Sequence, residues 1–301
     1  MNPKTPSSLF LLTAVILVMF AVLAYAGDKS QCIGFADYLF SQEEYYRAVG
    51  EYKRYIFLYP ADTRAVYAQF KIGLSFFHAH QYHNAHDAFQ SIHTVYEHTS
   101  LRRKQIAALW QARACLYTGS FTEAQTLYTA IINNPASPAL YNLAQYHTAW
   151  RFIMMRDWKS AKNAFTALGG VFNNADTNSL IRRAAVDIPH YITEQSLMKK
   201  KSPTAAGIAS ALIPGLSQML GKRIGDGLAA FFTVGILTSV TWYFFENDMN
   251  TYGYITGGMS LFFHAGNIYM ATSGTKLWNK NRDQYHRDIL IKRYWTDAYI
   301  E

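Results

Sequence analysis

Apolar positions between residues 33 and 168 recur with helical spacing, and one short pattern returns four times. The four copies read Tyr46-Arg47-Ala48-Val49-Gly50-Glu51-Tyr52, His83-Asn84-Ala85-His86-Asp87-Ala88-Phe89, Thr122-Glu123-Ala124-Gln125-Thr126-Leu127-Tyr128 and Lys159-Ser160-Ala161-Lys162-Asn163-Ala164-Phe165. In each, an alanine precedes an aromatic by four residues: Ala48 and Tyr52, Ala85 and Phe89, Ala124 and Tyr128, Ala161 and Phe165. The alanine allows two helices to approach closely, and the aromatic one turn later fills the space against the next helix pair. All eight residues therefore read as core.

The pattern implies helical hairpins in series. Gly73 falls where the first helix of a hairpin needs a small residue, with Phe76 three positions on, and Pro60 and Pro135 lie near the boundaries between copies. The stretches 117–121 and 155–158 place a break before each second helix. Residues 179–197 carry a further helical stripe, expected to cover the last hairpin, which Pro189 should kink or split.

The repeated alanines stand 37, 39 and 37 residues apart, slightly longer than the roughly 34 of a tetratricopeptide unit. On these residues, positions 33–168 resemble the tetratricopeptide-repeat family. The resemblance implies an all-α fold of tandem antiparallel helical hairpins that binds protein partners through its concave face. Trp110 and Trp150 depart from the family's tryptophan position.

Both ends of the chain are apolar. Residues 1–26 combine Lys4, the apolar run Leu9 to Ala24 and the small-x-small sequence Ala24-Tyr25-Ala26, the form of a cleaved signal peptide. An uncleaved anchor is the open alternative, because the run approaches the ~20 residues of one crossing. The repeat domain is then expected over 27–200. The composition turns small and apolar near residue 202, opening a membrane domain over 203–301. Its uncharged stretches 227–245 and 252–271 are the expected transmembrane helices, followed by a basic C-terminal helix.

The junction carries Pro214-Gly215-Leu216-Ser217-Gln218, then Gly221 and Gly227, and the second stretch contains Gly266-Asn267. This ordered set resembles a small bacterial helical-hairpin membrane domain with a Pro-Gly-x-Gly-Gln motif, Ser217 replacing the second glycine. The resemblance implies a membrane location and no activity. Pro214 and Gly215 should interrupt a helix, so the segment before them is expected to lie at the interface or enter partway, leaving two spans. A three-span alternative returns the basic tail to the cytoplasm and satisfies the positive-inside tendency.

The formal charge of +8 falls to +7 without Lys4, and much of the excess flanks the C-terminal apolar segments. That distribution points to anionic head groups and away from nucleic acid. Cys32 lacks the context for lipid attachment, and no disulfide to Cys115 is expected. Six of ten histidines lie between positions 78 and 98. His83 and His86 share a helix face, and His78 and His80 sit at a turn from which they would converge, the candidate metal ligands of the sequence. No cofactor and no enzymatic constellation is expected. The leading expectation is a scaffold in envelope assembly, held at a bacterial cytoplasmic membrane with its repeats in the periplasm, its partners being protein and lipid. An accessory for membrane-protein assembly or insertion, and one for metal handling or transport, are the competing classes.

Overall fold

The computed structural model describes residues 29–96, 98–172, 179–196 and 200–295. The signal segment expected at 1–26 lies outside them. All regular elements among the described residues are helices. The chain divides into two compact units, one holding the chain up to Pro189 and the other running from His190 to Trp295.

The first unit is a series of helical hairpins: α1 (29–41) with α2 (Tyr45–Leu58), α3 (Ala65–His78) with α4 (Tyr82–Thr94), α5 (Leu101–Thr118) with α6 (Phe121–Asn133), and α7 (Pro138–Met154) with α8 (Trp158–Phe172). From α2 to α8 each helix packs on its neighbours in sequence, and α5 also touches α3 and α7, the first helices of the adjoining hairpins. Ala48, Ala85, Ala124 and Ala161 are fully buried, as are Tyr52, Phe89, Tyr128 and Phe165. Gly73 shows why a small residue belongs opposite the aromatic. A Cβ there would lie 2.5 Å from Cε1 of the buried Phe89 ring.

One turn closes all four hairpins. Glu43, His80, Gly119 and Arg156 each adopt a positive φ, at 60°, 59°, 86° and 62°. The next residue donates its backbone N–H five positions back along the Schellman pattern: Glu44 to Leu39, Gln81 to Phe76, Ser120 to Cys115, and Asp157 to Phe152. Every left-handed residue precedes its repeat alanine by five positions. Helix starts have their own chemistry. Ser137 accepts the Leu140 N–H with Pro138 in the first turn, and Asp157 accepts from Ser160 N.

Helix α9 (Ser179–Ser196) begins in the first unit, where Ile181, Ala184, Ala185 and Ile188 are buried. It runs through Pro189 without breaking. A proline removes one ladder bond, and here the buried stripe on both sides of it holds the helix together.

The second unit contains α10 (Pro203–Leu212), α11 (Leu216–Leu220), α12 (Ile224–Glu246) and α13 (Asn250–Tyr294). The expected break at Pro214-Gly215 separates α10 from α11. The same Schellman turn reappears twice, with Lys222 and Asp248 at φ 65° and 57°. Stretch 252–271 and the basic segment after it are one continuous helix of 45 residues. Helices α12 and α13 pack as a hairpin joined by hydroxyls, Thr238 to Ser260 at 2.8 Å and Thr241 to Thr256 at 3.0 Å. The large apolar residues Phe231, Phe232, Ile236, Trp242, Ile255, Leu261 and Phe262 point outward. Among the described helices, α12 alone is long and apolar enough to cross a membrane; the 252–271 part of α13, with its glycines, His264 and Asn267, is not.

Candidate functional site

In the first unit, α1, α3 and α5 line a groove of about 540 Å³ together with Ile92 of α4. Ile33, Val66, Phe70, Ile92 and Ile106 form its apolar wall, and Arg64, Arg102 and Arg103 supply positive charge. Its one carboxylate, Asp37, accepts the hydroxyl protons of Tyr52 at 2.5 Å and Tyr67 at 2.8 Å. Burial and that bond together push the Tyr52 phenol far up. Arg64 is held by Asp62. Burial raises the Asp62 carboxyl, but hydrogen bonds from the Arg64 backbone and guanidinium outweigh it and bring the group to about 2. Arg102 and Arg103 stay exposed at the rim. The groove thus combines apolar surface with net positive charge, on the face formed by the first helices of successive hairpins.

The histidines separate by role. His78 stacks on Tyr45 with ring centroids 5.5 Å apart and meets Phe40, Phe77 and Trp110 in an aromatic cluster. His80 occupies the left-handed turn position, its Nδ1 2.9 Å from the Tyr82 hydroxyl. His83 is exposed. Only His86 joins a group whose ligand atoms converge, and its companions are Cys115 and Glu123; among the described residues no such group includes His78, His80 or His83. Composition could not reveal this set, because its members come from three helices at unrelated spacings. Cys115 is buried with a free thiol.

In the second unit the motif residues come together. Gly215, at φ 82°, approaches Gly227 so closely that a Cβ on it would lie 1.9 Å from the Gly227 carbonyl oxygen. A Cβ on Gly227 would in turn meet Met219 Cγ at 2.4 Å. Gly221 is similarly tight, with Ser217 O and Gln218 O at 3.2 and 3.3 Å from such an atom. Beneath this turn Gln218 donates to Asn267 at 2.7 Å, Ser210 donates to Gln218 at 3.2 Å, and Asn267 donates to the Ser210 carbonyl at 3.4 Å. Gly266 faces open space. Asn279 fixes the start of α10 by bonding both backbone groups of Lys201, and Lys200 pairs with Asp283 at 2.9 Å.

No protein-family model matches the sequence, and no curated protein does. Among solved structures, two repeat proteins show low similarity to this chain. A Podosopora anserina protein described as having nearly identical TPR-like repeats shares 12% identity at a TM-score of 0.44, covering 67% of this chain and 93% of its own. A tetratricopeptide repeat protein from Parabacteroides merdae shares 13% identity at a TM-score of 0.42, covering 90% of this chain and 95% of its own.

Proposed function

We propose that this chain is a membrane-anchored scaffold whose repeat unit faces the periplasm and captures a segment of another envelope protein. The groove of α1, α3 and α5 carries the reading. Its apolar wall suits two or three buried side chains, and its arginines suit carboxylates beside them, so the partner segment is apolar with acidic flanks. Asp37 cannot repel such a segment freely, since two tyrosine hydroxyls already solvate its charge.

Anchoring rests on the second unit, whose hairpin is inside out by the standards of a water-soluble protein. Hydroxyls and amides lie between its helices, and aromatic and aliphatic side chains lie outside. A tethered groove meets other envelope proteins at raised effective concentration.

The test is photocrosslinking in cells. A benzophenone amino acid at Val66 in the groove should give discrete adducts, whereas one at Tyr46, exposed on the second helix of its hairpin, should not. Replacing Arg102 and Arg103 by glutamate should remove the Val66 adducts. Equal crosslinking from both positions would sink the proposal.

A further inference from the structure

The second and third hairpins share a polar constellation that the scaffold role does not use. His86 lies on α4, Cys115 in the last turn of α5 and Glu123 in the first turn of α6. One ligand atom from each lies within 4.8 Å of the other two. The imidazole is enclosed on both sides by carboxylates, Nδ1 at 2.9 Å from Asp87 Oδ1 and Nε2 at 2.7 Å from Glu123 Oε1. The amide Nε2 of the buried Gln111 approaches the same Nε2 at 3.1 Å.

A neutral imidazole carries one N–H and can satisfy only one of those carboxylates. The other side then sets a nitrogen lone pair against a carboxylate, and that arrangement demands a cation between them. A second proton is one answer, a metal ion the other. With Asp87 holding the Nδ1 proton, Nε2 is oriented as a ligand, the carboxylate–histidine–metal arrangement in which an outer acidic group fixes the tautomer.

We infer that His86 Nε2, Cys115 Sγ and a Glu123 carboxylate oxygen form a three-ligand site for a zinc-type divalent ion, with Asp87 as the outer carboxylate. The donor set favours such an ion over calcium or magnesium, because imidazole and thiolate are soft beside the oxygen ligands that those cations require. Three protein ligands leave a fourth position open, and the partial exposure of His86 and Glu123 gives the ion a path from solvent. Ligand atoms around zinc stand roughly 3.3–3.8 Å apart given bonds of about 2.0–2.3 Å. The present spacing therefore needs only small side-chain movements, Nε2 and Oε1 opening as the ion replaces the proton between them. The backbone around Cys115 is already fixed, its carbonyl accepting from Ser120 N and the Thr118 hydroxyl. Burial, and then the charge of Glu123, hold the thiol up at about 12, so the metal-free site keeps a protonated cysteine, and metal entry would release that proton.

The test uses the full-length chain in detergent, freed of metal and titrated with Co²⁺ followed by Zn²⁺. The expected result is one Co²⁺ per chain with a thiolate-to-cobalt charge-transfer band, displaced by one equivalent of Zn²⁺. Cys115→Ala should abolish the band. Because that change lies in the core, Glu123→Gln and Asp87→Asn at exposed positions supply independent readings with unchanged thermal unfolding of the metal-free protein: Asp87→Asn, which alters the outer carboxylate, should weaken Zn²⁺ binding by about 10–100-fold, and Glu123→Gln, which removes a direct ligand, by at least as much. Replacing His78 and His83 by glutamine should leave binding intact. Absence of saturable binding, a cobalt spectrum without the thiolate band, or affinity unchanged in Glu123→Gln would overturn the site.

Discussion

Gln218 and Asn267, 49 residues apart in sequence, meet side chain to side chain at 2.7 Å inside the second unit. Both are buried, and Ser210 closes the network on them. Removing one member strands the others without water. Gln218→Leu or Asn267→Leu should each lower the unit's stability in detergent by about 1–3 kcal/mol. The double variant should lose less than the two single losses added together. Strictly additive losses would show that the pair is not coupled.

Gly73 lies against the face of Phe89, and the ring is enclosed with no room to retreat. Gly73→Ala should therefore destabilise the repeats by about 1–3 kcal/mol through overpacking, despite the better helix propensity of alanine. The double variant Gly73→Ala/Phe89→Leu should recover part of that loss. Chemical denaturation followed by tryptophan fluorescence reads both.

The left-handed turn residues allow a test of opposite sign. A side chain at positive φ costs about 1 kcal/mol relative to glycine. His80→Gly and Arg156→Gly should stabilise the repeats by up to that amount, and Gly119→Ala should destabilise them similarly. A stabilising His80→Gly would also place that histidine among the turn residues and outside any metal site.

How much of this was written in the sequence differs by element. The repeat could be read because burial is inscribed as alanine and aromatic at fixed spacing, and the Pro-Gly break because proline and glycine act through the backbone alone. The shared turn could not. Glutamate, histidine and arginine occupy positions where glycine would have announced it, since the Schellman bond and the packing on both sides enforce the conformation. The unbroken course of α13 was hidden by its change from apolar to charged near residue 275, which alters the surroundings of a helix without ending it. The grouping of His86 with Cys115 and Glu123 depends on how two hairpins stack, and no local spacing encodes that.

Acid should weaken the repeats through His147. Burial, and then the nearby Arg113 guanidinium, hold its pKa well below the ordinary 6.5, so the folded protein keeps this ring neutral. Arg113 itself lies over the Trp110 ring at 4.3 Å. Below about pH 6.5 the unfolded chain takes up a proton that the folded chain refuses. Stability is thus whole above that pH and falls as pH drops, with a slope approaching about 1.4 kcal/mol per pH unit from this group. His147→Gln should flatten the pH dependence between 6.5 and 5 in urea titrations; an unchanged slope would assign the acid sensitivity elsewhere.

Orientation is open to a direct measurement. In a background lacking Cys32 and Cys115, single cysteines at Asn247 and Lys280 report opposite sides of a two-span hairpin. If the repeats are periplasmic, α10 with its 10 residues is too short to span, and the less apolar 252–271 part of α13 crosses beside α12, an impermeant maleimide should label position 280 and spare 247; if α12 alone crosses, both positions are spared. The reverse pattern would establish three crossings.

The length of α13 adds a mechanical property. Its 45 residues extend about 68 Å at 1.5 Å per residue, against a hydrocarbon layer of roughly 30 Å. If the part up to Ala271 lies in lipid, the remainder stands outside as the same rigid rod, tied along its side by Asn279 to Lys201 and by the bond between the Tyr191 hydroxyl and His286 Nδ1 at 2.8 Å. Such a rod works as a lever. A few degrees of tilt forced at one end by a thinner or thicker bilayer would then displace the other end by several ångströms.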